Sequence, residues 1–513
     1  MAERRPSPTR FETVAAVLAT AGERGSSAPA LAGVGGEWSL SSLHAASRAL
    51  RDALRQAGIG PNDRLGTVVL HDAPSAATLL CAMSSCAAVP LSAAWTSQEL
   101  DDILPRLGLR AMLVPAGEDS PARAVAARHG IPLLERGLPL ASGAIPMSGS
   151  AAASAAPTAH TDPTPGDIAV ILLTSGSTGR VKIVPLTQRN AADMASRCSR
   201  QQPIEPTDRT VLQTPLIHSY AIEQLMRSVA AGARMDILGT FDPRGQSALL
   251  AARNPTWLAL VPYHLNAWLR ALDSGESALP PPGLRFIQVS GAFLPASLKA
   301  EARARFGVPV LDSYGSSEAL CVAYESLASG GLPDCVGEPV TDLRIVGDDG
   351  HECPPGVAGE ILVRGDTVFP GYIDDPALTA AVFTADGWFR IGDRGRLSAA
   401  GLLTVLGRID DTIVQAGLNI DPAEIEAALL AHPAVAECVV FGEPHAALGS
   451  SIAAAVVLRD GPEPAIRDLR RWLLDRLSPH KIPRRFVFPD DLPRTPTGKI
   501  GRADAALMFR TTT

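Results

Sequence analysis

The chain has 513 residues, 46% of them hydrophobic and 19% charged, which excludes a disordered protein and exceeds what one core can serve, so two or more domains are expected. A net charge of −7, scattered basic residues and 4% aromatics exclude a dedicated nucleic-acid binder. The seven cysteines (Cys81, Cys86, Cys198, Cys321, Cys335, Cys353 and Cys438) form no C-x-x-C pair and no His-spaced metal pattern. That set fits small buried hydrophobes in a reducing compartment.

The N-terminal stretch has early arginines and a short apolar segment, but Glu12 and Thr13 lead into it and Glu23 and Arg24 follow it. Without a small-residue cleavage site it reads as a first amphipathic helix, not a signal peptide. No run approaches the ~18 uncharged apolar residues of a membrane span. The expectation is a soluble cytoplasmic protein, monomer or homodimer.

Residues 40–140 alternate helix and strand patterns: helix "SLSSLHAASRALRDALRQAG", strand "DRLGTVVL", helix "SAATLLCAMSSCAA" holding both Cys81 and Cys86, and strand "AMLVP". This rhythm predicts an α/β fold with largely parallel sheets. Residues 141–166 shift to Ala, Ser and Pro and read as a flexible surface excursion. The rhythm resumes at "DIAVILL" and runs through "VLDSYG".

Near residue 408 the pattern changes again. The prediction is a large N-terminal domain of layered mixed α/β sheets, 1–408, and a small α+β lid-like domain, 409–513. Asp421, Pro422 and Glu424 make a helix start, with an N-cap, a first-position proline and first-turn acid. The helix "AEIEAALLAH", strands "AVAECVVFG" and "SIAAAVVL", helix "AIRDLRRWLLDRL" and basic loop "SPHKIPRRF" follow.

The sharpest candidate for chemistry is "LLTSGSTGRVK". A buried strand ends at Leu173, and Thr174, Ser175, Gly176, Ser177, Thr178 and Gly179 then lead to Lys182. Ligands of open α/β sheets sit at strand ends, and glycines let backbone N–H groups approach phosphate. G-x-x-G-x-x-K is not the Walker spacing, and alone the stretch reads equally well as a surface turn. "DSYGSSE" (312–318) offers Tyr314 for stacking and Glu318 as a hard-cation ligand, or a plain turn. "WFRIGD" offers Asp393 to sugar hydroxyls, "GRIDD" offers Arg408 to phosphate or ribose, and "PRTPTGKIGR" displays Lys499. Each has an ordinary solvated alternative.

With "PLIHSYA" and "VSGAFL", and in this order along the chain, the motifs resemble the adenylate-forming superfamily of acyl- and aryl-CoA ligases, peptide-synthetase adenylation domains and luciferases. The resemblance runs roughly from residue 40 to 505. It implies ATP and Mg²⁺, with Thr174 to Lys182 holding the β- and γ-phosphates. Tyr314 would stack on adenine, Asp312 would lie near its amino group, and Gly291, Ala292 and Phe293 would close the other face, with Ser313, Gly315 and Ser317 lining the nucleotide. Glu318 would bind Mg²⁺, Asp393 the ribose, and Arg408 ribose or phosphate. Lys499, on a C-terminal domain swinging about Asp410, would bridge substrate carboxylate and α-phosphate.

The resemblance also places His218 and Tyr220 near an acyl pocket with Ser290, Gly291, Gly315 and Ser316. The residues it gives to the chemistry are Lys499, Lys182, Glu318 and His218; the other reading of His218 is a satisfied histidine at a helix start. Val181 stands where proline is common, Ser317 keeps a threonine's hydroxyl, and Ile391 replaces Ser or Thr. Val414, Gln415 and Ala416 stand where many plant-type aryl-CoA ligases carry one or two lysines. The implied reaction is activation of a small carboxylic acid, aromatic or apolar, and transfer to CoA. A carrier-protein phosphopantetheine, an amine acceptor, an oxidative luciferase role and a catalytically inactive nucleotide sensor stay open. No aspartate faces a substrate ammonium, although Glu223 is available for a displaced amine.

Overall fold

Apolar runs between residues 64 and 187 assemble into one seven-stranded sheet. The computed structural model describes residues 10–25, 27–137, 145–148, 161–175, 181–239, 241–332, 335–415, 418–445, 448–459, 461–494 and 500–509. Gly176, Ser177, Thr178, Gly179, Ala416, Lys499 and most of 141–166 therefore lie outside the described residues.

The sheet order is Met147–Ser148, Leu133–Arg136, Ala111–Pro115, Arg64–Val69, Ala87–Ser92, Ile168–Ser175, Val181–Thr187. The five inner strands are parallel and the two edges antiparallel. Strands covered on both faces need apolar side chains throughout, and Ala111–Pro115 is buried at every position. The helix Leu40–Gln56 starts where the Ser39 side chain accepts from the Ser42 N–H.

One predicted helix is in fact a helix and a strand. The helix Ala73–Met83 stops because the Ser84 and Ser85 hydroxyls donate to the Cys81 carbonyl, at 2.7 and 2.8 Å, leaving Ala87–Ser92 to form a central strand. Cys81 and Cys86 thus do not share a helix. All seven cysteines are free and five are buried.

A second sheet orders Trp257–Leu260, Phe286–Val289, Val310–Tyr314, Ala323–Tyr324 and Glu338–Pro339, its first three strands parallel. A third, antiparallel, orders Asp342–Val346, Gly359–Arg364, Phe389–Leu397 and Leu403–Arg408. A fourth orders Leu418–Ile420, Ile413–Gln415, Gly449–Leu458 and Val435–His445, with Arg485–Val487 beside Gly449–Leu458. Helices Pro422–Leu430 and Ile466–Leu474 close that last sheet over a separate core containing Ile413, Ile425, Val440, Ile452 and Leu469. Asp421 is the N-cap expected of it, accepting from the Ala423 N–H. The architecture is a large N-terminal domain of mixed α/β sheets with a smaller C-terminal domain.

Several contacts among the described residues cross the seam between the two parts. Asn266 Nδ2 donates to Glu437 Oε1 at 3.1 Å, Arg494 lies 4.4 Å over the Tyr263 ring, Arg459 pairs with Glu301 at 3.3 Å, and the Ser297 hydroxyl reaches the Leu430 carbonyl at 3.4 Å. Among the described residues no helix is long and apolar enough to cross a membrane.

Candidate active site

Three predicted residues meet where the second and third sheets approach. Tyr314 ends the strand Val310–Tyr314, and its hydroxyl donates to Asp393 Oδ2. Asp393 is paired in register with Arg408 on the neighbouring strand, and the Arg408 guanidinium lies 3.3 Å from Asp393 Oδ1. Burial, then the Asp393 charge, pushes the Tyr314 phenol well above its ordinary value, so it stays a hydrogen-bond donor. Ile391, one turn of the pleat earlier, points into the core. Gly315 follows Tyr314 because a Cβ there would lie 1.6 Å from the Leu320 carbonyl oxygen.

A second cluster joins Lys182 to Glu318, the residues expected to meet phosphate and Mg²⁺. Thr174 and Lys182 are register partners on the two antiparallel strands Ile168–Ser175 and Val181–Thr187. Lys182 Nζ lies 5.3 Å from the Tyr372 ring centroid, and the Tyr372 hydroxyl donates to Glu318 Oε1 at 3.0 Å. Sequence reasoning missed Tyr372. Its only mark is the Pro-Gly-Tyr turn of "FPGYIDD", which reads as surface punctuation.

Behind the first cluster sits a third, which joins the expected Asp312 to Lys299 and Glu325, both missed from sequence. Asp312 is buried, and its backbone N–H donates to Glu325 Oε2. Glu325 also accepts from Lys299 Nζ and the Leu332 N–H, while Lys299 Nζ donates to the Leu332 carbonyl at 2.7 Å. Lys299 and Glu325 are both buried, a satisfied internal ion pair. Burial pushes the Asp312 carboxyl up to about 8, against the pull of Lys299 and with a push from Glu325. Ser290 and Ser313 are tied by a 2.9 Å bond from the Ser290 hydroxyl to the Ser313 carbonyl. The Ser316 hydroxyl accepts from the Ala319 N–H, and Ser317 lies half-buried in the same turn.

The acyl-side residues are less concentrated. His218 is the N-cap residue of helix Ser219–Ala231, without a side-chain cap bond. Tyr220 packs in a cluster with Trp257, Val261 and Phe286, its hydroxyl 3.4 Å from the Gln288 carbonyl. Glu223 Oε1 accepts from Arg227 and from Gln288, both at 3.1 Å. Those bonds commit it to the interior and leave it poorly suited to a substrate amine.

Ala292 and Phe293 line a cavity of about 260 Å³ at the seam, shared with Tyr263, Glu437, Arg494 and Ile500. Arg494 and Ile500 form an antiparallel bridge, so both stems of the Lys499 segment face the wall formed by Ala292 and Phe293. Asp410 is exposed between the last strand of the third sheet and the first of the fourth.

Clusters of polar side chains at strand ends stand where ligands of α/β sheets usually sit. The comparisons agree. Residues 18–373 match the AMP-binding enzyme family and 424–499 the AMP-binding enzyme C-terminal domain. The chain belongs to the AMP-binding enzyme family. It is 34% identical over 432 residues to a probable CoA ligase, CCL9, of Humulus lupulus, with 82% of each chain covered. It is 31% identical over 513 residues to a sulfoacetate–CoA ligase of Cupriavidus necator, covering 97% of this chain and 98% of the relative. The amide bond synthetase McbA of Marinactinospora thermotolerans superposes with a TM-score of 0.83 at 25% identity, over 97% of this chain and 100% of that one.

Proposed function

We propose that the chain is an AMP-forming acid–thiol ligase that converts a carboxylic acid to an acyl-adenylate and passes the acyl group to CoA. The observation that carries this is the convergence of Tyr314, Asp393 and Arg408 on one hairpin rung beside the Lys182–Tyr372–Glu318 cluster. The two CoA-ligase relatives support the same direction.

In the first step a substrate carboxylate oxygen attacks the α-phosphorus and pyrophosphate leaves. Two anions meet, so the need is for placed positive charge and donors, not a nucleophilic side chain. Residues 174–182 hold the leaving β- and γ-phosphates, Tyr314 and the Gly291–Phe293 backbone hold adenine with Asp312 near its amino group, and Asp393 holds the ribose with Arg408. Lys499 meets the α-phosphate and the carboxylate, and His218 and Tyr220 flank the acyl group.

Mg²⁺ fits the carboxylate set. Glu318 keeps acceptor capacity beyond its bond to Tyr372, and among the described residues no group of three or more His, Cys, Asp or Glu is gathered for a resident metal. An ion held by Glu318 would arrive with the nucleotide and neutralise charge on the departing phosphates. In the second step the thiol sulfur attacks the acyl carbon and AMP leaves. The division at 408, with Asp410 as hinge, lets the C-terminal domain withdraw Lys499 for that step.

A second reading, transfer to an amine or a carrier-protein phosphopantetheine, is favoured by Val414 and Gln415. Gln415 Nε2 is spent on the His480 carbonyl at 3.0 Å, and no lysine stands at either position. McbA shows that this fold supports amide synthesis. Carboxylate-dependent ATP–pyrophosphate exchange over a panel of acids tests the adenylation. Lys499→Ala should lower it by roughly 100-fold with an unchanged melting temperature, as for loss of one transition-state charge contact. Unimpaired exchange refutes the role given to Lys499. Presenting the adenylate to CoA, a holo-carrier and simple amines identifies the acceptor.

A further inference from the structure

We infer that Tyr372 is a positioning residue that couples Lys182 to Glu318, so that phosphate and Mg²⁺ are bound as one unit. The inference rests on the adenylation reading above.

Four contacts tie residues 369–373 to both partners. The Phe369 N–H donates to the Glu318 carbonyl at 2.7 Å, and the Tyr372 hydroxyl donates to the Glu318 carboxylate. On the other side the Ile373 N–H donates to the Ile183 carbonyl at 3.1 Å, next to Lys182, whose ammonium lies over the Tyr372 ring. The segment is therefore a short strut between the strand that carries Lys182 and the turn that carries Glu318.

The strut is rigid. Gly371 sits at φ +133, where a Cβ would come within 2.6 Å of Thr379 Cγ2, and the Tyr372 N–H donates to Thr379 Oγ1 at 2.9 Å. The ring packs edge-on against Phe369 at 4.8 Å, and Tyr372 is only 8% exposed. A phenol so held presents its O–H to one partner and its π face to the other, with no rotamer freedom to lose when ligand binds.

The two contacts separate by substitution. Tyr372→Phe keeps the ring face and removes the hydroxyl, whereas Tyr372→Leu removes both. ATP binding is measured by calorimetry with and without Mg²⁺, alongside the Mg²⁺ dependence of exchange and thermal melting. For Tyr372→Phe the half-saturating Mg²⁺ should rise roughly 10-fold, as for loss of one hydrogen bond to a charged group, while metal-free ATP binding stays within about twofold. For Tyr372→Leu metal-free ATP binding should also weaken, by roughly 3- to 10-fold. A merely structural tyrosine would lower the melting temperature in both variants and move neither binding ratio, which overturns the inference. Unchanged or tighter Mg²⁺ binding by Tyr372→Phe overturns it too, the latter making the hydroxyl a competitor for the carboxylate. Wild-type protein that binds no ATP at all fails the adenylation reading itself, before any variant is compared.

Discussion

Two ion-pair systems flank the candidate nucleotide site, and they are built to opposite ends. Behind the nucleotide wall, Lys299 and Glu325 have side chains only 5% and 0% exposed, and every partner belongs to the large domain. At the seam, Arg459 and Glu301 are 38% and 29% exposed and belong to different domains, and the companion contacts are one amide bond, one cation–π contact and one hydroxyl bond. Charge buried with all its partners fixes geometry and is costly to disturb, whereas half-solvated charge separates with little penalty. The wall's ion pair is thus costlier to disturb than the seam's.

The comparison breaks most visibly at Lys299. Lys299→Met leaves Glu325 buried and unpaired and should cost about 3–5 kcal/mol in chemical denaturation, with the double variant Lys299→Met/Glu325→Leu recovering most of it. No recovery would mean that Glu325 acts through its two backbone N–H partners and not through charge balance. Next comes the connection between the regions. Asp410→Pro should slow acyl transfer more than tenfold while sparing ATP–pyrophosphate exchange, since it stiffens the segment that must turn between the two half-reactions. Equal loss of both steps would place the turning point elsewhere.

A smaller effect is read by pH in the C-terminal domain. Burial pushes Asp421, at the start of the C-terminal domain's first helix, up to about 6 from 3.8. The folded form holds its proton more tightly, so its stabilising contribution is present below about 4 and is lost as pH rises through about 6. Asp421→Asn keeps the cap and should gain about 1–2 kcal/mol on wild type between pH 4 and 7 in urea titrations. The smallest effect is at the seam. Arg459→Ala should change stability by only about 0.2–1 kcal/mol, and the change should shrink in high salt.

Much of the fold was legible because strands covered on both faces must be apolar throughout, which exposed "TVVL", "AMLVP" and "AVILL". The C-terminal helix start at Asp421–Pro422 was legible because capping is a local event. The boundary after Met83 was not, because it depends on two serine hydroxyls choosing a carbonyl. In the site, Tyr314, Asp393 and Arg408 were readable from motif order. Lys299, Glu325 and Tyr372 were not, because their importance lies in partners 26, 13 and 54 residues away. A tyrosine in a turn or a lysine on a helix looks solvated until the chain is folded. Glu223 fell the other way: its segment suggested a partner for a substrate amine, and the fold commits its carboxylate to Arg227 and Gln288.

One rung of the third sheet links these regions. Asp393 and Arg408 face each other in register, and Asp410 comes two residues after Arg408 on the same strand exit. The fulcrum of the proposed rotation therefore grows directly out of the rung proposed to hold the ribose. Any turn at Asp410 would act within two residues of the Asp393–Arg408 contact, so rotation and the geometry of that rung share one hairpin.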